Sequence, residues 1–322
     1  MLSKVTISHT DLSVSRLCYG TNMLGWSIDQ DRSNRILDRF TELGGNFVDT
    51  ARSYGDWMPG APKGASERAV GAWLKTRKRE DIVVSTKGGH FDMRAGDYRN
   101  RVNPVDLASD LDESLDHLGV DAIDLYWVHM DNPETPVGEL IDFLDGAKSA
   151  GKIRWYGASN WTPDRVIAAN DYAKVNGKSG FVAYQPFWGL GKPHEGNAAQ
   201  EGYQLYFEDH GGALREGDLA IVPYCGQSRG YFSLLEQGKD SVPETLAAFF
   251  DNSANATRFE AAKAIASNHD VAIAQVVMGY LLNQPGQVVP IFGASSPERV
   301  EESVKAADLR LSAGELSQLR AD

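Results

Sequence analysis

Cysteine is nearly missing from this chain. Cys18 and Cys225 are the only two in 322 residues, too few for a disulfide framework or a cysteine-rich zinc site. Basic residues are also scarce, 32 against 44 acidic ones. The formal net charge of −12 argues against a nucleic-acid or anionic-membrane surface as the main partner. An anionic cofactor is still allowed, because backbone amides and a few placed cations bind phosphate locally. No stretch reaches the ~20 apolar residues of a membrane helix, and Met1–Ile7 has no apolar signal-like run, so a soluble, cytoplasmic protein is expected. No low-complexity run, Pro/Ser-rich linker or strong repeat divides the sequence, which is read as one domain over residues 1–322. A Gly-x-Gly-x-x-Gly turn after an early strand is missing too, which counts against an open doubly wound sheet.

What the chain does contain is an alternation. Short apolar, β-branched runs occur at Arg16–Tyr19, Asn46–Asp49, Ile82–Thr86, Ile123–Val128, Ile153–Ala158, Phe181–Gln185, Ala220–Tyr224 and Val288–Phe292, giving eight strand candidates. Helical spacing separates them. Leu107, Leu111, Leu115 and Leu118 share one helix face, as do Val137, Leu140, Ile141, Leu144 and Ala147. Asn103-Pro104 and Thr162-Pro163 are helix-start signals, and Gly119 and Gly151 are natural stops. Strands alternating with helices mean βαβ units, and eight of them in this length predict a (β/α)₈ barrel. Lys4–Ile7 and Leu12–Val14 read as a hairpin at its base. Two long connections, about residues 186–219 and 226–257, follow strands and belong over the mouth, where barrel sites form.

The residues leaving the strand ends carry the chemistry. Strand two ends in Asp49 with Tyr54 just beyond, strand three in Lys87 and strand four in His129. Each alone reads blandly, as a cap, a solvated lysine, a packed tyrosine; four on three successive strands converge on one rim. A tyrosine with its pKa near 10 keeps its proton at neutral pH and serves as a general acid. A neighbouring ammonium pulls that pKa down, a carboxylate holds the ammonium, and a histidine orients a carbonyl oxygen. No nucleophile with an adjacent base is evident, so the attacking species is expected from a cofactor.

At this point the sequence resembles the aldo-keto reductase superfamily. The likeness runs through Gly20-Thr-Asn22, Asp49-Thr-Ala-Arg-Ser-Tyr-Gly55, Ser85-Thr-Lys-Gly88, Leu125-Tyr-Trp-Val-His129 and Gly151-Lys-Ile-Arg-Trp-Tyr-Gly-Ala-Ser-Asn160. It continues in Tyr184-Gln185, Val222-Pro-Tyr224, Pro290-Ile-Phe-Gly293 and Ser295-Ser-Pro-Glu-Arg-Val-Glu-Glu-Ser303. The resemblance implies a barrel that passes a hydride from NAD(P)H to an aldehyde or ketone, with Asp49, Tyr54, Lys87 and His129 as the catalytic tetrad. By the same resemblance Ser159, Asn160 and Gln185 bind the nicotinamide carboxamide, Tyr224 stacks on its ring, and Gly20 and Thr21 approach through the backbone beside Asp49. Arg299 is assigned to the adenosine 2′-phosphate and Glu302 and Ser303 to the adenine, while Cys225, Gln227, Arg229, Gly293 and Ser295 complete the cofactor set. Three departures thin the phosphate clamp: Gly293-Ala-Ser295 is uncharged where many NADPH-using members carry a cation, Ser303 replaces the usual asparagine, and Cys225-Gly-Gln227 replaces Ser-Pro-Leu. NADPH is expected over NADH.

Trp26, Trp57 and Trp188 fall in rim loops and, with Tyr54, His129 and Met130, form the expected substrate pocket, whereas Trp73, Trp127 and Trp155 read as packing. His90 follows Lys87-Gly-Gly, and Asp131, Asn132, His194, Glu195 and Arg229 would supply polar neighbours, which suits a small sugar-like or aromatic carbonyl compound. Two other functions fit the residues less well. A cofactor-sensing binding protein like the potassium-channel β subunits lacks any sign of a channel partner. A metal-dependent hydrolase, suggested by His129-x-Asp131, needs more strand-end histidines than the scattered set provides, so no metal is expected. Sequence is silent on oligomeric state.

Overall fold

A computed structural model describes residues 1–200, 202–205 and 219–320. An antiparallel hairpin, β1 (Lys4–Thr6) and β2 (Ser13–Ser15), precedes the barrel strands. These are β3 (Cys18–Gly20), β4 (Phe47–Asp49), β5 (Val83–Gly88), β6 (Ile123–Val128), β7 (Ile153–Ser159), β8 (Ala183–Gln185), β9 (Ala220–Ile221) and β10 (Ile291–Phe292). They run parallel in the order β10-β3-β4-β5-β6-β7-β8-β9. The ring closes through Ile221 N–H to the Gln287 carbonyl (2.8 Å), Val289 N–H to Ile221 (2.9 Å) and Ile291 N–H to Pro223 (2.8 Å). All eight expected strands are present in a (β/α)₈ barrel.

Helices α1 (Gln30–Glu42), α2 (Ala65–Leu74), α3 (Pro104–Leu118), α4 (Val137–Ser149) and α5 (Pro163–Val175) follow β3 to β7 in turn. The start and stop signals act largely as expected. Asn103 accepts from Val105 and Asp106 N–H to cap α3, and Gly119 ends it at φ 64°. Thr162 holds the corresponding position before α5, but its hydroxyl makes no capping bond. Leu107 and Leu111, both fully buried, contribute about 1.5–3 kcal/mol each by leaving water.

The alternation of strand side chains divides the core in two. Cys18, Phe47, Leu125, Trp127 and Val222 fill the barrel interior, and Ile7, Leu12 and Val14 of the hairpin segment plug its base. Tyr126 and Val128, the other face of β6, join the larger core between barrel and helices. Apolar packing below leaves polar groups the upper rim.

Of the two long connections, residues 201 and 206–218 of the first lie outside the described residues. The second is more structured than its sequence suggests, carrying the helices Tyr231–Gln237 and Glu244–Phe250 and the start of Ser253–His269. Among the described residues no helix is long and apolar enough to cross a membrane.

Candidate active site

Register brings the rim residues together. Gly20 pairs with Asp49, Asp49 with Ser85 and Lys87 with Trp127 across three neighbouring strand pairs. Lys87, 1% exposed, uses all three ammonium hydrogens: one to Asp49 Oδ2, one to the Thr50 carbonyl (2.7 Å) and one to Tyr54 Oη (2.9 Å). The Tyr54 oxygen accepts from lysine, so its own proton is left to donate elsewhere. Asp49 Oδ1 accepts from Ser85 Oγ (2.6 Å), Trp127 Nε1 (3.1 Å) and Gln185 Nε2 (3.2 Å). Four donors thus hold this carboxylate.

Ser85 and Trp127 are partners that motif reading did not assign to the site, although a period-two reading of β5 puts Ser85 on the face of Lys87. Trp127 does pack in the barrel interior as expected, and it also donates to Asp49.

The electrostatics favour a proton donor. Burial is the largest influence on Tyr54 and raises its pKa, with Lys87 pulling the other way, so the expected net lowering by lysine is reversed. Burial opposes the Lys87 charge, but Asp49 and Tyr54 outweigh it and the ammonium is held. His129 is held neutral: burial drives its pKa well below the usual histidine value, and His90 and Lys87 add to this. Its ring lies 6.1 Å from the Tyr54 ring and 4.9 Å from His90, centroid to centroid. Its Nδ1 is buried without a hydrogen-bond partner among the described residues.

Two aromatic walls flank this cluster. Trp57 stands edge-on to Tyr54 (6.2 Å) and Trp26 to Trp57 (5.9 Å), with Trp57 42% exposed at the mouth. On the other side the series His129, His90, Phe91, Tyr98 runs outward at centroid spacings of 4.9, 4.0 and 5.4 Å. Met130 is half-buried beside His129, and its carbonyl accepts from Trp161. Trp188, expected at the rim, is instead buried and packs edge-on to Tyr280. Several polar neighbours expected in the pocket are committed elsewhere. Asp131 pairs with Arg165 (3.0 Å), Asn132 Nδ2 donates to Thr135 (2.8 Å), and His194 faces the Asp251 carbonyl (3.2 Å). Arg229 lies over the Phe249 ring and donates to Tyr203 Oη (3.0 Å).

The residues expected to hold a cofactor form two groups. At the ends of β7 and β8, Ser159 Oγ donates to the Gln185 carbonyl (3.0 Å) and Asn160 Nδ2 to the His129 carbonyl (3.1 Å). Tyr224 Oη donates to Asn160 Oδ1 (2.5 Å). Asn160 and Cys225 both hold φ near +60°, backbone that few side chains adopt. Thr21 turns its hydroxyl inward against the Asp49 carbonyl (3.0 Å) and Ser66, so only its backbone can face the mouth.

The second group lies at the end of β10. Gln227 bridges it, accepting from Gly293 N–H (3.0 Å) and donating to Ser303 Oγ (3.3 Å), while Tyr19 Oη holds the Ala294 carbonyl (2.7 Å). Ser295 is half-buried, and Arg299 and Glu302 are exposed on the helix Pro297–Val304, which Ser296 caps. Paired amide and hydroxyl groups beside an aromatic ring suit a nicotinamide carboxamide, and an exposed guanidinium in a first helical turn suits a phosphate. The donor set fits the dinucleotide.

Comparison with known proteins agrees. The Aldo/keto reductase family model matches residues 16–321. The chain is 27% identical to the Schizosaccharomyces pombe aldo-keto reductase yakc, which is named for NADP(+), over 94% of this chain and 86% of that one. It is 28% identical to an aryl-alcohol dehydrogenase of Pestalotiopsis microspora (95% and 78% covered) and 26% to norsolorinic acid reductase of Aspergillus flavus (98% and 79%). A crystallised thermostable aldo-keto reductase shares the fold, with a TM-score of 0.71, 23% identity and coverage of 100% and 99%. Matched over nearly its whole length and folded as the same barrel, the chain belongs to the aldo/keto reductase family of NAD(P)H-dependent oxidoreductases.

Proposed function

We propose that residues 1–322 act as one catalytic unit in the cytoplasm that reduces a small aromatic aldehyde or ketone to its alcohol, using NADPH in preference to NADH. The observation that carries this reading is the chain Asp49–Lys87–Tyr54, in which the buried ammonium donates to the phenol oxygen at 2.9 Å and leaves the phenol proton for a substrate. The substrate oxygen sits between Tyr54 Oη and the neutral His129 imidazole. Tyr54 transfers its proton to that oxygen, and Lys87, fixed by Asp49, stabilises the phenolate that results. His129 orients the oxygen by a hydrogen bond without competing as an acid. When bound, the reduced nicotinamide supplies the hydride.

Ser159, Asn160 and Gln185 would hold its carboxamide and Tyr224 its ring; Arg299 would meet the 2′-phosphate. Glu302 and Ser303 would flank the adenine, with Gly20, Cys225, Gln227, Arg229, Gly293 and Ser295 lining the path between. NADPH is supported by the exposed Arg299 and by the relative named for NADP(+).

The walls support this substrate class. Trp26, Trp57 and the His90–Phe91 pair offer ring faces and edges, whereas Asp131, Asn132 and Arg229, which a sugar would need, already have partners. Relatives named for an aryl alcohol and for norsolorinic acid support the same choice. A panel of aromatic, aliphatic and sugar-like carbonyl compounds, each assayed with NADPH and with NADH, tests the reading. Aromatic members should show the highest kcat/KM; turnover confined to hydroxylated aldehydes would refute the substrate class, and no turnover with any member would refute the activity.

A further inference from the structure

Arg52 lies two residues before Tyr54, and its side chain is not solvent-facing: it is 1% exposed. Its backbone N–H donates to the Lys87 carbonyl (3.3 Å). The guanidinium meets three carboxylates, with Nε 3.3 Å from Asp110 Oδ1, and Nη1 3.4 Å from Glu113 Oε2 and 3.9 Å from Asp56 Oδ2. Asp56 stands two residues after Tyr54, so one cation spans the turn that carries the phenol.

Asp110, on α3, reaches the other catalytic turn. Its Oδ2 accepts from Gly89 N–H (2.8 Å), between Lys87 and His90, and its Oδ1 also binds Arg101. Gly88 and Gly89 fix the path there: a Cβ on Gly88 would fall 1.9 Å from Tyr126 Oη, and Gly89 has φ 88°. Asp56 in turn accepts from Arg94 (2.6 Å) in the segment that follows His90. The turn after β4 and the turn after β5 therefore share one largely buried ion cluster, whose guanidinium lies close enough to His90 and His129 for its charge to act on both. Burial opposes the Arg52 charge, and the combined fields of Asp110, Asp56 and Glu113 outweigh it, so the guanidinium stays charged, while burial raises the Asp110 carboxyl against the pull of Arg52 and Arg101.

We propose that Arg52, through its pair with Asp110, is a positioning residue that sets Tyr54 relative to Lys87 and His129. Nothing in the proposed reduction requires an arginine here, and a salt bridge used for stability alone gains little from burial. The effect is geometric: proton transfer needs the phenol at hydrogen-bond distance, and a displacement near 1 Å costs on the order of a hundredfold in rate. The proposal rests on Tyr54 as the proton donor.

Arg52→Met, Arg52→Lys and Asp110→Asn test it. In Arg52→Met, kcat should fall roughly 100-fold, while KM for the carbonyl compound and Kd for NADPH, read by tryptophan quenching, change less than about threefold. The solvent deuterium isotope effect on kcat should rise, because a misplaced phenol makes proton transfer limiting; a smaller folded fraction would scale the rate and leave that effect unchanged. Arg52→Lys, which keeps the charge but places it on one nitrogen that cannot face Asp110, Glu113 and Asp56 together, should recover about a tenth of the lost rate. Hydrogen exchange supplies a readout without turnover: in Asp110→Asn, residues 51–58 and 86–92 should exchange about tenfold faster while α4 and α5 do not.

Unchanged kcat, or reduced kcat with an unchanged isotope effect, overturns the proposal, as does unchanged exchange in the two turns. Should Arg52→Met fail to fold, Asp110→Asn, which keeps the side-chain volume and the Gly89 acceptor, decides by the same criteria. A wild type that reduces no carbonyl compound defeats the catalytic reading, and the exchange result still decides whether the two turns are clamped.

Discussion

At the proposed reacting end of the site Lys87 has every hydrogen engaged and Asp49 accepts four bonds before any ligand arrives. At the proposed dinucleotide end Arg299 and Glu302 stand in solvent, and Gln227 ties the two loops together. The contrast follows from what each end must do. A group that transfers a proton needs its geometry set in advance, because reorganisation during the reaction would add to the barrier. A group that grips a phosphate gains from meeting it in water and closing on it, since the charge it carries stays solvated until the ligand pairs with it.

If this division holds, disturbing the first end should change rate and disturbing the second should change affinity. The largest effect belongs to Tyr54→Phe, expected to lower kcat by about 10²–10⁴ while Kd for NADPH stays within roughly twofold. Near-normal turnover would erase the distinction. Lys87→Met should lower kcat by about 10² or more and also destabilise the fold by about 3–5 kcal/mol, because it strands Asp49 in a buried site; adding Asp49→Asn should restore much of the melting temperature and none of the rate. Arg299→Ala should raise Kd for NADPH roughly 10- to 100-fold by fluorescence titration, leave NADH within about twofold, and spare kcat at saturation.

The pH dependence sharpens the same contrast. Tyr54 is raised above its ordinary value of 10 and His129 lies well below 6.5, so kcat for reduction should be level from about pH 6 to 9 and fall only above about 10. The neutral His129 also ties stability to pH. The unfolded chain binds a proton there below about 6.5 that the folded chain refuses, so the melting temperature should drop as pH falls through that range. His129→Gln should flatten that slope. The smallest effect is expected for Gln227→Ala, a few-fold rise in Kd for NADPH with kcat unchanged, since one neutral bridge is worth about 1 kcal/mol.

Much of this architecture is legible in the residues themselves. Eight β-branched runs, with Asn103-Pro104 and Gly119 bounding a leucine face, are enough to place the strands and α3, because local chemistry decides them. Asp49, Tyr54, Lys87 and His129 follow, since each leaves the end of a strand whose neighbour is next in sequence. What escapes is what depends on depth. Trp127 looks like packing and is both packing and a donor, because the barrel interior brings β6 against β4 through β5. Trp188 looks like rim and is buried, because the helix Ile273–Leu282 packs on it through Tyr280. Arg52 carries no periodic signal at all; its meaning lies in three carboxylates drawn from its own turn and from α3.

Asp49 offers a last consequence. Its donors come from β5, β6 and β8, the first two through Lys87, Ser85 and Trp127 and the third through Gln185. A carboxylate moored to several staves of the barrel moves only if the barrel deforms, so the connections above it are free to change without disturbing it. Rebuilding Trp26 or Trp57, which bond neither Asp49 nor the carboxylates around Arg52, therefore amounts to changing the lock while the bolt stays in place. Under the proposed function, new carbonyl substrates should become reachable by exchanging those two rim residues alone.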